Sequence, residues 1–166
     1  MRAIVTPDGL FIIGSEIIRC AIGKGGVRAD KREGDGATPA ASMRLMRVLY
    51  RPDREVPPQS AVPVQALAVS DGWCDDPALP VYNQPVILPI GGSAEALWRD
   101  DAVYDIIGVL DWNLSPAVPG RGSAIFLHIA RPDYAPTEGC IALAPTDLRR
   151  VLALGLADIA VQSPPP

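Results

Sequence analysis

The sequence contains one histidine, His128, and it stands twelve positions before Cys140. A cysteine attacks as its thiolate, and a paired histidine can lower a thiol pKa by one to several units from about 8.5. The imidazolium so formed can then protonate a leaving amine. Gly139, directly before Cys140, lets the backbone come close to a substrate carbonyl, and peptide N–H groups around Gly139 and Cys140 are candidate oxyanion donors. Nucleophile, base and oxyanion donors thus come from about a dozen residues, and their chemistry is acyl transfer through a thioester.

Several elements must position these groups. Residues 123–130 read as a strand carrying His128 on rigid backbone, and the loop 131–136, with Pro132 and Pro136, can fold Cys140 back beside the imidazole. Residues 101–111 are the other rich strand candidate, and these two are expected at the centre of the sheet. Short strands are expected at 2–5, 10–13 and 16–22, separated by Pro7-Asp8-Gly9 and Gly14-Ser15 turns, and further strands at 42–50 and 157–161. Prolines recur every few residues between Arg51 and Pro89, so that stretch reads as a long ordered loop around one strand, 64–69. It is a candidate lid or wall over the site, or else a solvated surface loop. Pro145 and Asp147 open a short C-terminal helix whose buried face is Leu148, Val151 and Leu152, stopping at Gly155. The reading is one domain over 1–166, with 163–166 as a disordered tail.

The 166 residues carry a formal net charge of -4 and only two lysines, Lys24 and Lys31. Phosphate binding needs a clustered basic surface, so no nucleic-acid partner is expected. No apolar run reaches the length of a membrane span, and a monomer is expected. The turn at Thr6-Pro7-Asp8-Gly9 interrupts the apolar start, so no export signal is visible. Three cysteines leave at least one free thiol, and pairing of Cys20 with Cys74 stays open.

The residues Thr137-Glu138-Gly139-Cys140-Ile141 downstream of His128 resemble the signature of the L,D-transpeptidase (YkuD) family. Gly34-Asp35-Gly36-Ala37-Thr38-Pro39 looks like that family's Gly-Asp-x-x-Thr-Pro segment. Asp71 to Pro77, Tyr82-Asn83, and Gly120 to His128 are similar to a short, domain-only branch. The resemblance implies a mostly β fold with a short C-terminal helix, an L,D-transpeptidase-like β-sandwich. It implies attack by Cys140 on the L-centre carbonyl of diaminopimelate and transfer to an amine of a second peptidoglycan stem peptide, giving 3,3- or 1,3-type links. Donor and acceptor stem peptides are the implied partners, carbapenem-type inhibitors the implied covalent ligands, and the periplasm or cell envelope the implied location; no cofactor is implied. Three positions depart from the pattern: Ala142 replaces a common arginine, Glu138 precedes the motif glycine, and Ala41 stands where glycine is usual. Arg131 or Arg149 is a candidate to replace that arginine.

Candidate substrate contacts are Thr137, Arg131 and Tyr134 near the nucleophile, and Trp73 and Tyr82 as a wall. The ordinary reading makes the last two core or loop anchors. Three other functions stay open: a zinc site from Cys74, Asp75, His128 and Cys140, an L,D-carboxypeptidase or endopeptidase, and a peptidoglycan-binding module without turnover.

Overall fold

The computed structural model describes residues 1–165; Pro166, part of the expected tail, lies outside the described residues. The chain opens with β1 (Arg2–Val5), β2 (Leu10–Ile13) and β3 (Glu16–Arg19), an antiparallel meander whose turns fall at Gly9 and Gly14. Two short pieces, β4 (Val27–Arg28) and β5 (Thr38–Pro39), pair in parallel. The long strand β6 (Ser42–Tyr50) follows, with Met43 and Leu45 turned inward and Ser42, Arg44 and Met46 exposed, the period-two alternation of a half-buried strand. Beside it lies β7 (Val64–Ala66).

The proline-rich stretch differs from expectation. It contains β8 (Asp71–Cys74) and β9 (Pro85–Ile87), which join β10 (Ala94–Ala96) in a three-stranded antiparallel sheet. Pro85 is compatible with a strand because β9 is an edge, where a missing N–H costs no ladder bond. The strand expected at 64–69 stops at Ala66. The one expected at 101–111 divides into a 3₁₀ turn, Ala102–Tyr104, and β11 (Ile106–Leu110). The one expected at 16–22 ends at Arg19 because residues 20–24 cross to the far side of the sheet.

β12 (Phe126–Ile129), β13 (Ile141–Leu143), helix α1 (Pro145–Ala153) and β14 (Asp158–Val161) complete the chain. The main sheet runs β13-β12-β11-β6-β14-β1-β2-β3, with β7 on β6. Its two ends nearly meet: Ala21 N–H donates to Ala142 O at 2.8 Å and Ala142 N–H to Ala21 O at 2.9 Å. Closure satisfies edge groups that would otherwise be open. Inside the curl, Phe11, Met43, Leu45, Ile106, Leu127 and Ile141 form the main core, and α1 buries Leu148, Val151 and Leu152 against it. The three-stranded sheet covers the opposite face over a second core of Trp73, Leu97, Tyr104 and Phe126. The molecule is thus mostly β with one C-terminal helix. No helix among the described residues is long and apolar enough to cross a membrane.

Alternation along β12 decides the site. Leu127 and Ile129 belong to the main core, whereas Phe126 packs in the second, so His128 shares the face of Phe126. All three cysteines are free, so the possible Cys20–Cys74 bridge does not form.

Candidate active site

β12 and β13 are parallel neighbours, with His128 opposite Ala142. Cys140 stands just ahead of β13, two residues before Ala142, and packs in the second core with Phe126, whose face His128 shares. His128 and Cys140 line one cavity of about 570 Å³, as does Ala142.

Cys140 Sγ donates to Ala124 O at 3.2 Å and accepts the Phe126 N–H at 3.3 Å. Among the described residues it makes no hydrogen bond to His128. Burial pushes its thiol up to about 12, and the negative charge of Glu95 adds to this. This is the opposite of the lowering a paired imidazole would give: desolvation outweighs the Phe126 N–H, Lys31 and Tyr104, which favour the charged form. His128 Nδ1–H donates to Ile129 O at 2.9 Å, the tautomer being fixed by a partner that only accepts, which leaves Nε2 bare. Burial pulls the imidazole down to about 4. The Tyr104 ring meets it edge-on, centroids 5.3 Å apart. Ile129 and Tyr104 are thus the groups that orient His128, neither of which could be named from the sequence.

The turn before β13 is tightly held. Thr137 Oγ1 donates to Cys140 O at 2.7 Å and accepts the Gly139 N–H at 3.1 Å, so that N–H is not free for an oxyanion. Thr38 Oγ1 accepts the Gly23 N–H at 2.9 Å and also reaches Cys140 O, at 3.4 Å. Gly139 has φ +134°, and a Cβ there would stand 2.8 Å from Ala37 O. Glycine is needed because the 34–39 segment runs directly against the turn. Asp35 fixes that segment by pairing with Lys31 at 2.5 Å and accepting the Ala37 N–H at 2.8 Å; these bonds hold its carboxyl below the usual range against the cost of burial.

Of the other sequence candidates, Thr137 and Arg131 line the cavity. Tyr134 does not; it stacks under Arg19 at 4.3 Å and faces a separate cleft with Pro7 and Cys20. Trp73 and Tyr82 do not form a wall. Trp73 is 1% exposed, packed edge-on against Phe126 at 5.2 Å, with its indole N–H on Asn83 Oδ1 at 2.9 Å. Tyr82 is equally buried and donates to Glu33. Both are anchors because Asn83, between the two layers, also accepts the Ala124 N–H at 3.0 Å and donates to the carbonyls of Trp112 and Asn113. Arg149 reaches Glu55 and Val56 O from α1, away from the cavity. Cys74, Asp75, His128 and Cys140 assemble no metal-ligand group among the described residues. Sequence reading missed Glu33, Glu95, Arg99 and Tyr104, all of which line the cavity; they come from loops and the small sheet, and no local motif marks them.

The family model of the L,D-transpeptidase catalytic domain (YkuD) matches residues 6–156. The chain belongs to the L,D-transpeptidase catalytic domain family. No curated protein and no solved structure matches it. Ala142 puts a methyl group beside His128, and the cavity's cations are Arg99 and Arg131. Both guanidiniums bond to Asp101, Arg99 twice at 2.8 Å and Arg131 at 3.3 Å.

Proposed function

We propose that this domain is a cysteine acyltransferase that cross-links peptidoglycan stem peptides in the cell envelope. The observation that carries the reading is that Cys140 and His128 line the same cavity, within a chain of this family. The substrate carbonyl is the L-centre carbonyl of diaminopimelate. His128 Nε2 takes the Cys140 proton as the sulfur attacks, and the leaving amine departs with that proton. The Cys140 N–H is the oxyanion donor, since Thr137 occupies that of Gly139. A second stem amine resolves the thioester, giving a 3,3- or 1,3-type link. Arg131 and Thr137, at the cavity wall, contact the donor strand.

Neutral thiol and neutral imidazole are the reactive resting forms here, so proton transfer accompanies attack. Protonated His128 cannot accept a proton, so the acylation rate falls as pH drops through the imidazole pKa. With burial holding that value near 4, the acid limb of the rate profile is expected near pH 4, not near 6.5. Carbapenem acylation followed from pH 3.5 to 8 measures it, and a limb between 6 and 7 would contradict the buried base.

A second reading, a peptidoglycan-binding module without turnover, draws support from the thiol bonded to Ala124 O and held up to about 12. Purified stem peptides incubated with the protein and read by mass spectrometry separate the outcomes. Cross-linked dimers support transfer, shortened stems support an L,D-carboxypeptidase or endopeptidase, and unchanged peptides would defeat the enzyme.

A further inference from the structure

The proposed reaction, on which this inference rests, has one proton without an acceptor. Acylation is balanced, because His128 takes the thiol proton and returns it to the leaving amine. Resolution is not. A stem-peptide amine with a lysine-like pKa of about 10.4 arrives as ammonium. It must lose one proton before its lone pair can attack the thioester carbonyl. It loses a second as the C–N bond forms and the C–S bond breaks. That second proton passes through His128 to the departing sulfur and restores the thiol. The first needs another base in the cavity.

Four carboxylates line the cavity: Glu33, Asp75, Glu95 and Glu138. Glu138 lies at the exposed rim in an ion pair with Lys24 at 2.8 Å. Glu33 is occupied by two hydroxyls, those of Tyr82 and, at 2.8 Å, Ser123. Asp75, whose Oδ1 is buried without a hydrogen-bond partner, raises Glu95 by its charge. Glu95 is differently placed. Its Oε1 accepts the Tyr104 hydroxyl at 2.6 Å, and the same tyrosine ring touches His128. Its charge is, after burial, the largest influence on Cys140. One tyrosine therefore links this carboxylate to the reacting pair.

We propose that Glu95, steadied by Tyr104, is the base that takes the first proton of the acceptor ammonium, committing the acyl group to an amine in place of water. The ammonium gives its proton to the Glu95 carboxylate, the free amine attacks, and the resulting carboxylic acid releases the proton to solvent after the amide has formed. Burial supports this role by holding the Glu95 carboxyl above its ordinary value, with Asp75 and Glu33 adding to the elevation and Tyr104 and Arg99 opposing it. A more basic carboxylate narrows the gap to the amine. The other charged and titratable groups that line the cavity with it are Glu33 of the 31–34 loop, Asp75 beyond β8, Arg99 beyond β10, Tyr104 of the 3₁₀ turn, His128 on β12, Arg131 beyond it, and Glu138 and Cys140 before β13.

The test is Glu95→Gln, with transferred and hydrolysed products of a stem-peptide donor and amine acceptor counted by mass spectrometry from pH 6 to 10. At pH 7 the ratio of transfer to hydrolysis is expected to fall about 10²-fold, the scale of a lost general base, and to recover toward pH 10, where the amine is already free. Glu95→Asp should fall less. Formation of a carbapenem adduct, which needs no acceptor, shows that each variant is folded and reactive. A wild-type ratio in Glu95→Gln, or a loss equally deep at pH 10, would overturn the role. So would loss of the adduct in both Glu95 variants while wild type forms it. Absence of the adduct in wild type would instead remove the proposed function itself.

Discussion

Replacing His128 with alanine should slow acylation of Cys140 by about 10²- to 10⁴-fold, the loss expected when a positioned general base is removed. The thiol is held up to about 12 by burial, so few thiolates form spontaneously at neutral pH, and attack depends on a base that accepts the proton during the step. Nε2 of His128 is the bare nitrogen, because Nδ1 is bonded to Ile129 O. Stopped-flow acylation by a carbapenem gives the rate. A variant within about threefold of wild type would mean that the imidazole is not the base, since that is far below general-base catalysis. His128→Gln is a useful second variant because it retains a polar side chain beside Tyr104.

The second large effect is expected at Gly139. A methyl group there would meet Ala37 O at 2.8 Å, and the residue sits at φ +134°, a region that costs a non-glycine residue about 1–3 kcal/mol. The clash is with backbone, and the segment behind it is pinned by Asp35 and Thr38, so neither side gives way easily. Gly139→Ala should therefore lose roughly 2–3 kcal/mol in chemical denaturation and acylate far more slowly, because Cys140 is the next residue. Unchanged stability would show that the turn relaxes more freely than its contacts allow.

How much of this was legible in the residues depended on sequence distance. His128 and Cys140 could be proposed as a pair because a single histidine and a Gly-Cys turn lie close in the chain, and both residues line one cavity. Strand β6 was legible to its ends, and α1 from its proline start and apolar face. Glu95 and Tyr104 were not, because Ala and Glu are weak strand formers, and the three-stranded sheet that holds β10 against β8 comes from long-range pairing. Of the two readings of Trp73 and Tyr82, the wall fails and the anchor holds: Trp73 packs in the second core with its indole N–H on Asn83, and Tyr82 is buried with its hydroxyl on Glu33. The lowering expected of the Cys140 thiol is reversed by burial, which a sequence does not state.

The central claim is that Cys140 is the nucleophile of this cavity. Its most direct test is the intact mass of the protein after incubation with a carbapenem, a strained acyl donor that a reactive cysteine opens. Wild type should gain the mass of one drug molecule, mapped by peptide digestion to Cys140, and Cys140→Ala should gain none. A wild-type mass that stays unchanged, or an adduct that persists in Cys140→Ala, would contradict it.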